Sequence, residues 1–67
     1  MVVEVSWGVG TRDVERAVRR AALLALTGVQ TLPVVIGDYT LHEAAALCRA
    51  MHVWQVLDGR VLSPGEC

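Results

Sequence analysis

The sequence predicts a small α/β domain with the element order β-α-β-α-β-β. Three observations indicate this order. A β-branched run from Leu32 to Ile36 ends in a Gly-Asp turn, two stretches carry helix-start signals, and an Asp58-Gly59 pair separates two short apolar runs. Crossovers of helical length predict that the first three strands are mostly parallel, and the C-terminal hairpin adds an antiparallel edge strand.

The first strand is predicted from alternation. Val3, Val5 and Trp7 alternate with Glu4 and Ser6, which is the period of a strand with one face more buried than the other. We expect Glu4 and Ser6 to face outward. An outward polar face favours an α+β two-layer sandwich over a three-layer arrangement with a helix on each side of the sheet. In the two-layer case the bare sheet face is a candidate for self-association.

A first helix is predicted from Thr11 to about Thr27. Thr11 is the expected N-cap, Asp13 lies in the first turn where the helix dipole favours negative charge, and Gly28 is the expected residue after the helix end. The predicted core stripe is Val14, Val18, Ala21 and Ala25, with Ala17 and Leu24 beside it. Leu23 and Leu26 fall outside this stripe, so we expect them at a subunit contact.

The central strand and the second helix follow. Leu32 to Ile36 is predicted to be buried on both faces, because it is apolar at consecutive positions. Thr40-Leu41-His42-Glu43 matches a capping box. In this motif the Thr40 hydroxyl accepts a hydrogen bond from the Glu43 backbone amide, and the Glu43 carboxylate accepts one from the Thr40 backbone amide. The helix is expected to end near His52. Its predicted core stripe is Leu41, Ala44, Cys48 and Met51, with Ala45 and Leu47 beside it.

A hairpin is predicted to complete the sheet. Val53 to Leu57 and Arg60 to Leu62 flank Asp58-Gly59, the preferred dipeptide of a two-residue type I′ turn. We therefore expect one domain over residues 1–62 and a flexible C-terminal tail over 63–67. A chain this short buries only about 60% of the surface of its unfolded form, so its stability as a monomer is expected to be marginal.

The composition favours a homo-oligomer. The chain is 54% hydrophobic, and Cys48 and Cys67 allow at most one disulfide. The apolar stretch from Ala21 to Leu26 is far shorter than the roughly 20 residues that span a bilayer, which excludes a membrane span. With no signal peptide at the first strand, we expect a cytoplasmic protein.

Nucleic acid is a disfavoured partner. The net charge is −1 and Lys is absent, so no global basic field exists, although the first helix carries a basic ridge. Asp13 and Glu15 interleave with that ridge, which favours a solvated, ion-paired helix face and leaves binding to nucleic acid or an acidic partner as the alternative. The arginines of the ridge are Arg12, Arg16, Arg19 and Arg20.

The element order resembles that of small two-layer domains such as the C-terminal domain of bacterial translation initiation factors and the Alba chromatin proteins. That resemblance implies nucleic-acid binding through Lys/Arg-rich faces, which this chain does not have. Over residues 2 to about 57, the order of strand, Gly-rich turn with Thr11-Arg12, helix, strand, Asp38 and helix is similar to the C-terminal domain of precorrin hydrolases of cobalamin biosynthesis. The chain matches no diagnostic cluster of that family, so the sequence assigns it to neither group.

A ligand site is expected at the carboxyl edge of the parallel sheet. One loop there runs into a helix N-terminus, so its backbone amides and Arg12 could hold a phosphate or carboxylate. Asp13 replaces the third glycine of G-x-G-x-x-G and opposes an anion, which favours a plain strand-to-helix turn. The second loop contributes Asp38, Tyr39 and His42. The candidate ligand-binding residues are Gly8, Gly10, Thr11, Arg12, Asp38, Tyr39 and His42.

The second loop has a catalytic and a structural interpretation. Asp38 and His42 could form an acid-base pair if a substrate lay between the loops. The favoured interpretation is structural: Asp38 caps the turn, Tyr39 packs ahead of the helix, and His42 is an exposed first-turn residue. We therefore predict no catalytic residue.

A metal site is also disfavoured. Cys48 and His52 are four residues apart on one helix, and Cys67 would be a third ligand. A single Cys-His pair without a C-x-x-C partner is more often a core cysteine followed by a helix-end histidine. The sequence therefore predicts neither a metal nor a cofactor.

The favoured function is a small, non-enzymatic, self-associating binding or scaffold module, with Leu23, Leu26 and Trp54 as interface candidates. The alternative is a domain that binds a small anionic ligand, such as a phosphate, through the Gly8–Thr11 turn and the Asp38–His42 loop, with or without catalysis.

Overall fold

The computed structural model describes residues 2–65 and confirms the α/β fold. The elements are β1 (Val2–Val5), β2 (Gly8–Val9), α1 (Thr11–Ala25), β3 (Pro33–Gly37), β4 (Tyr39–Thr40), α2 (His42–Met51), β5 (Trp54–Leu57) and β6 (Arg60–Leu62). The main sheet has the order β1-β3-β5-β6. Its first three strands are parallel and β6 is antiparallel to β5, while β2 and β4 form a separate parallel pair.

Both helices pack on the same face of the sheet, so the fold is a two-layer sandwich. The core joins Val35 of β3 to Val14 and Ala17 of α1 and to Ala44 and Cys48 of α2. Val9 and Val53 complete this fully buried group.

The strand register defines a second, uncovered face. Residues aligned across the sheet share a face, and those aligned with Val34 and Ile36 point away from the helices. We call this surface the open face. It consists of Val3, Val5, Val34, Ile36, Trp54, Val56 and Val61. All seven are apolar: Val5 and Val61 are 75% and 61% exposed, Val34 is buried, and the other four are partly exposed.

The predicted orientation of β1 is wrong. Glu4 lies on the covered face and is only 8% exposed, whereas Val3 and Val5 belong to the open face. The Glu4 carboxylate accepts hydrogen bonds from Arg20 at 2.5 Å and Arg16 at 3.4 Å. These two arginines of α1 reach the edge strand and compensate the burial of the charge.

The central strand also differs from the prediction. It runs from Pro33 to Gly37, and Leu32 before it is exposed. Val35 is buried beneath the helices, while Ile36 lies on the open face and is partly exposed. Val34, on the open face, is also buried, so the predicted burial on both faces holds in the middle of the strand and fails at Leu32 and Ile36.

The N-cap of the first helix lies one residue earlier than predicted. Gly10 is the N-cap, and its backbone amide donates to Asp13 Oδ2 at 3.0 Å. Thr11 is the first helical residue, and the helix ends at Ala25, which is exposed. Val14, Ala17 and Ala21 are buried and Val18 packs beside them, but Leu24 is exposed. Gly28 has φ +86°, so it provides the left-handed turn expected after the helix.

The predicted capping box of α2 is absent. Leu41 is the N-cap without a side-chain cap bond, and the Thr40 hydroxyl donates to Oε1 of the buried Gln55 at 2.6 Å. Ala44 and Cys48 are buried as predicted, with Leu47 and Ala45 partly buried, but Leu41 and Met51 are exposed.

The hairpin forms as predicted. Asp58 and Gly59 both have positive φ, +48° and +79°, as a type I′ turn requires, and β6 spans Arg60–Leu62. The predicted tail is described only through Gly65, so the part with Cys67 lies outside the described residues. Over residues 2–65, no helix has both the length and the apolar character needed to cross a membrane.

Candidate functional site

The three parallel strands end at one edge of the sheet, and each is followed by a residue of functional interest. Trp7 follows β1, Asp38 follows β3 and Asp58 follows β5. Backbone hydrogen bonds hold these segments together: the Asp38 amide donates to the Trp7 carbonyl at 2.9 Å, and the Asp58 amide donates to the Gly37 carbonyl at 3.1 Å. The positions of the three residues are therefore fixed relative to one another by the backbone.

Gly37 makes this close approach feasible. A Cβ at this position would lie 2.5 Å from the Ser6 carbonyl oxygen and 3.1 Å from the Trp7 carbonyl oxygen. Backbone atoms cannot move aside as a flexible side chain can, so only glycine fits here without displacement of the β1 segment.

A pocket of about 500 Å³ lies at this edge. We call it the edge pocket. It is lined by Val5, Ser6, Trp7, Ile36, Gly37, Asp38, Val56, Asp58 and Gly59. Its apolar part continues the open face, and its polar part comes from the residues that follow the strands. The lining contains two carboxylates and no basic side chain, and Trp7 is 82% exposed.

The two loops predicted to form an anion site are adjacent, because β2 and β4 pair through Gly8 with Tyr39 and Val9 with Thr40. The Tyr39 ring lies so close to Gly8 that a Cβ there would be 2.6–2.8 Å from the ring carbon and hydroxyl atoms. The Gly10 amide is already bonded to Asp13. The backbone donors of this turn are thus partly occupied within the chain, and anion binding there stays a prediction.

The candidate ligand residues do not converge on one pocket. Asp38 alone among the seven lines the edge pocket. Arg12 lines a separate depression on α1 with Glu15, Arg16 and Arg19, and His42 is exposed at the first position of α2. The alternating charges on α1 match the solvated, ion-paired interpretation of the basic ridge.

Sequence reasoning missed Trp7 and Asp58. Trp7 was interpreted as an inward-facing strand residue, and Asp58 was explained completely by the hairpin turn. The rule that ligands collect at the carboxyl ends of parallel strands could have found both, because Trp7 lies two residues after β1 and Asp58 lies directly after β5.

The interface candidates lie on two different surfaces. Leu23 and Leu26 are exposed on α1 and at its C-cap, whereas Trp54 is partly buried on the open face, on the other side of the sheet. They cannot belong to one continuous contact with a flat partner.

The two side chains considered as metal ligands, Cys48 and His52, lie in different environments. Cys48 is fully buried in the core, and His52 is exposed in the left-handed C-cap of α2. Among the described residues, there is no group of three or more His, Cys, Asp or Glu side chains that could hold a metal ion. Cys67, the third candidate ligand, lies outside those residues.

The fold and its surfaces define the protein as a two-layer α/β domain with a four-stranded mixed sheet, an open apolar face and a pocket at the carboxyl edge. Comparisons with models of protein families, with curated proteins and with solved structures find no match to this chain.

Proposed function

We propose that the protein is a self-associating binding or scaffold module in which a second copy of the chain covers the open face. The observation that carries the proposal is the composition of that face. Its seven side chains are all apolar, and contiguous apolar surface of this kind marks interaction sites in soluble proteins.

The chemistry of the open face favours an identical partner. A surface without charged groups needs an apolar partner surface, and a second copy supplies one through a two-fold axis. The most exposed residues of the open face are Val5 of β1 and Val61 of β6, so the apolar area that a partner would cover lies mainly on the two outer strands.

The composition of the core also favours association. Its buried apolar residues are Val, Ala and Cys, with no Leu, Ile, Phe, Met or Trp among those described. Each such side chain stabilises the fold less than a larger one would, since the hydrophobic contribution scales with buried area at about 25 cal/mol per Å². Two large apolar side chains of the sheet, Ile36 and Trp54, point to the open face, while Leu57 and Leu62 lie on the covered face, so a partner on the open face adds apolar burial that the monomer lacks.

The rival surface is the exposed end of α1. Leu26 is 84% exposed, and Leu23, Leu24 and Val29 near it are exposed too, but these residues lie at the end of α1 and in the loop after it, and not on the open face. This difference allows a direct comparison of two substitutions that change the charge equally.

The experiment measures the molar mass of wild type, Val61→Glu and Leu26→Glu by light scattering during size-exclusion chromatography. Val61 lies on the edge strand and is exposed, so the folded chain can hold a glutamate there, but a covered interface cannot. We expect an oligomer for wild type and Leu26→Glu and a folded monomer for Val61→Glu. A monomeric wild type, or an oligomer that survives Val61→Glu, would contradict the proposal.

A further inference from the structure

We propose that the edge pocket binds a small organic cation, an ammonium or guanidinium group carried on an apolar stem. Every residue that this inference uses belongs to one chain, and three of them, Val5, Ile36 and Val56, also belong to the open face that the proposed dimer covers. The proposed cation site also differs from the anion site expected at the Gly8–Thr11 turn, in both position and ligand charge.

The charge of the lining selects the ligand class. Asp38 and Asp58 contribute two carboxylates to the pocket, and no basic side chain lines it. In the described part of the chain, all ion pairs involve Glu4 or Asp13, so neither pocket carboxylate forms one, and the nearest basic side chain is that of Arg60, which lines an adjacent depression with Asp38 and Asp58. A bound cation would complete this charge balance, and an anion would be repelled.

The indole of Trp7 supports the same choice. Trp7 is 82% exposed, which is a large apolar area to leave in water at a position held by the backbone. The face of an indole ring is the preferred aromatic partner of an ammonium or guanidinium group. Carboxylates beside an exposed indole therefore match an organic cation better than a hydrated metal ion.

The apolar floor indicates the rest of the ligand. Val5, Ile36 and Val56 form the part of the pocket that continues the open face. A stem of several carbon atoms can lie on this floor while its charged end meets the carboxylates. Ligand pockets combine an apolar lining with a few polar groups that fix orientation, and this pocket has that composition at the sheet edge where ligands of parallel sheets collect.

The pocket is also preorganised. The backbone bonds from Asp38 and Asp58 and the close packing at Gly37 fix the three strand ends before any ligand arrives. Little ordering is then needed on binding, which favours measurable affinity even for a small ligand.

The test is a titration of isotope-labelled protein with benzylamine, followed by the Trp7 indole N–H and the Asp38 and Asp58 amide resonances. Benzyl alcohol and benzoate serve as neutral and anionic controls of the same shape. We expect saturable shifts at all three residues with benzylamine, with a Kd on the order of 1 mM, and at least about fivefold weaker binding of both controls. Equal affinity for benzyl alcohol, or no shift at Trp7 with benzylamine, would overturn the proposal.

Single substitutions measure how much each carboxylate contributes to the affinity for benzylamine. Asp38→Asn and Asp58→Asn are each expected to weaken benzylamine binding about two- to fivefold, as exposed ion pairs do. Glu43→Gln removes an exposed carboxylate outside the pocket and serves as the charge-matched control, with unchanged affinity expected. If Glu43→Gln weakened binding as much as the two aspartate variants, the effect would reflect net charge and the site would be rejected.

Two further arms separate this inference from the other proposals. Val56 of the pocket floor pairs with Val61, so Val61→Glu uncovers the floor and adds a nearby carboxylate, and benzylamine should bind this variant at least as tightly as wild type. Loss of binding in a folded Val61→Glu monomer would contradict a site contained in one chain. Inorganic phosphate should leave the Trp7 and Asp58 signals unchanged, and phosphate shifts at those signals would contradict cation selectivity.

Discussion

At the scale of single residues, Gly37 has the clearest structural requirement. Gly37→Ala places a methyl group against the Ser6 and Trp7 carbonyl oxygens, so the free energy of unfolding should fall by about 1–3 kcal/mol. Gly8→Ala is the matched control, because its methyl group meets only the ring of the exposed Tyr39, which can rotate away. Urea unfolding of both variants measures the difference. Equal stability of the two variants would show that the edge is more adaptable than the geometry indicates.

The hydrogen bond between Thr40 and Gln55 gives the second residue-scale prediction. Thr40→Val removes the donor to a buried side-chain oxygen and should lower the free energy of unfolding by about 1–2 kcal/mol. Thr40→Ser keeps the hydroxyl and should retain most of the stability.

Glu43→Ala distinguishes this arrangement from a capping box. If Glu43 belonged to a capping box, Glu43→Ala would lower the free energy of unfolding about as much as Thr40→Val. In the observed structure Glu43 contributes only through the helix dipole, so the expected loss is about 0.3–1 kcal/mol. Chemical denaturation of the three variants decides between the two arrangements, and a cost for Glu43→Ala above that for Thr40→Val would contradict the structure.

At the scale of elements, local sequence patterns predicted most of the helices, strands and turns. The order of the main-sheet strands and the helices, the left-handed Gly28 and the Asp58-Gly59 turn all follow from short stretches of sequence, whereas the short β2–β4 pair joins residues about 30 positions apart and was not predicted. The helix α1 ends at Ala25, two residues before the predicted end at about Thr27. The sequence has no helix-ending residue before Gly28, so its local pattern does not indicate this earlier end.

The failures concern side chains that interact over long distances in the sequence. The Thr40 hydroxyl could cap α2 or hydrogen-bond to a distant side chain. In the structure it donates to Gln55, 15 residues away, and no capping box forms. Glu4 was placed outward because alternation cannot distinguish a core face from an uncovered apolar face. Its partners Arg16 and Arg20 belong to another element, so only the packing of α1 on β1 decides which side is covered.

The end of α2 supplies an element-scale prediction. His52 adopts a left-handed conformation with φ +57°, which costs an L-residue with a Cβ roughly 1–2 kcal/mol. His52→Gly removes that cost but increases the freedom of the unfolded chain, so a net gain of about 0.5–1 kcal/mol in the free energy of unfolding is expected.

Ala50→Gly is the appropriate control for this variant. Ala50 is exposed within α2, where glycine should cost about 1 kcal/mol. Thermal unfolding should therefore show opposite changes for the two glycines. A loss of stability in His52→Gly would mean that the His52 side chain contributes more than its backbone strain costs.

At the scale of the whole molecule, the sheet divides the protein into a packed half and an uncovered half. The helices cover one face with a core of small side chains, and the other face carries seven apolar residues that no helix covers. The edge pocket lies where this uncovered face meets the strand ends, and it shares Val5, Ile36 and Val56 with that face. Self-association and ligand binding would therefore use overlapping parts of one surface, so each should change the affinity of the other.

Coupled folding and association should appear in the dependence of Tm on protein concentration. For a dimer that dissociates as it unfolds, a tenfold increase in concentration stabilises the folded state by about 1.4 kcal/mol per dimer. In a domain of this size, such a change corresponds to a rise in Tm of roughly 3–6 °C. Scanning calorimetry of wild type at increasing concentrations should show this rise, whereas Val61→Glu should unfold at a lower Tm that does not depend on concentration. A constant Tm for wild type across a wide concentration range would mean that the packed half is stable alone, and that the open face contributes nothing to folding.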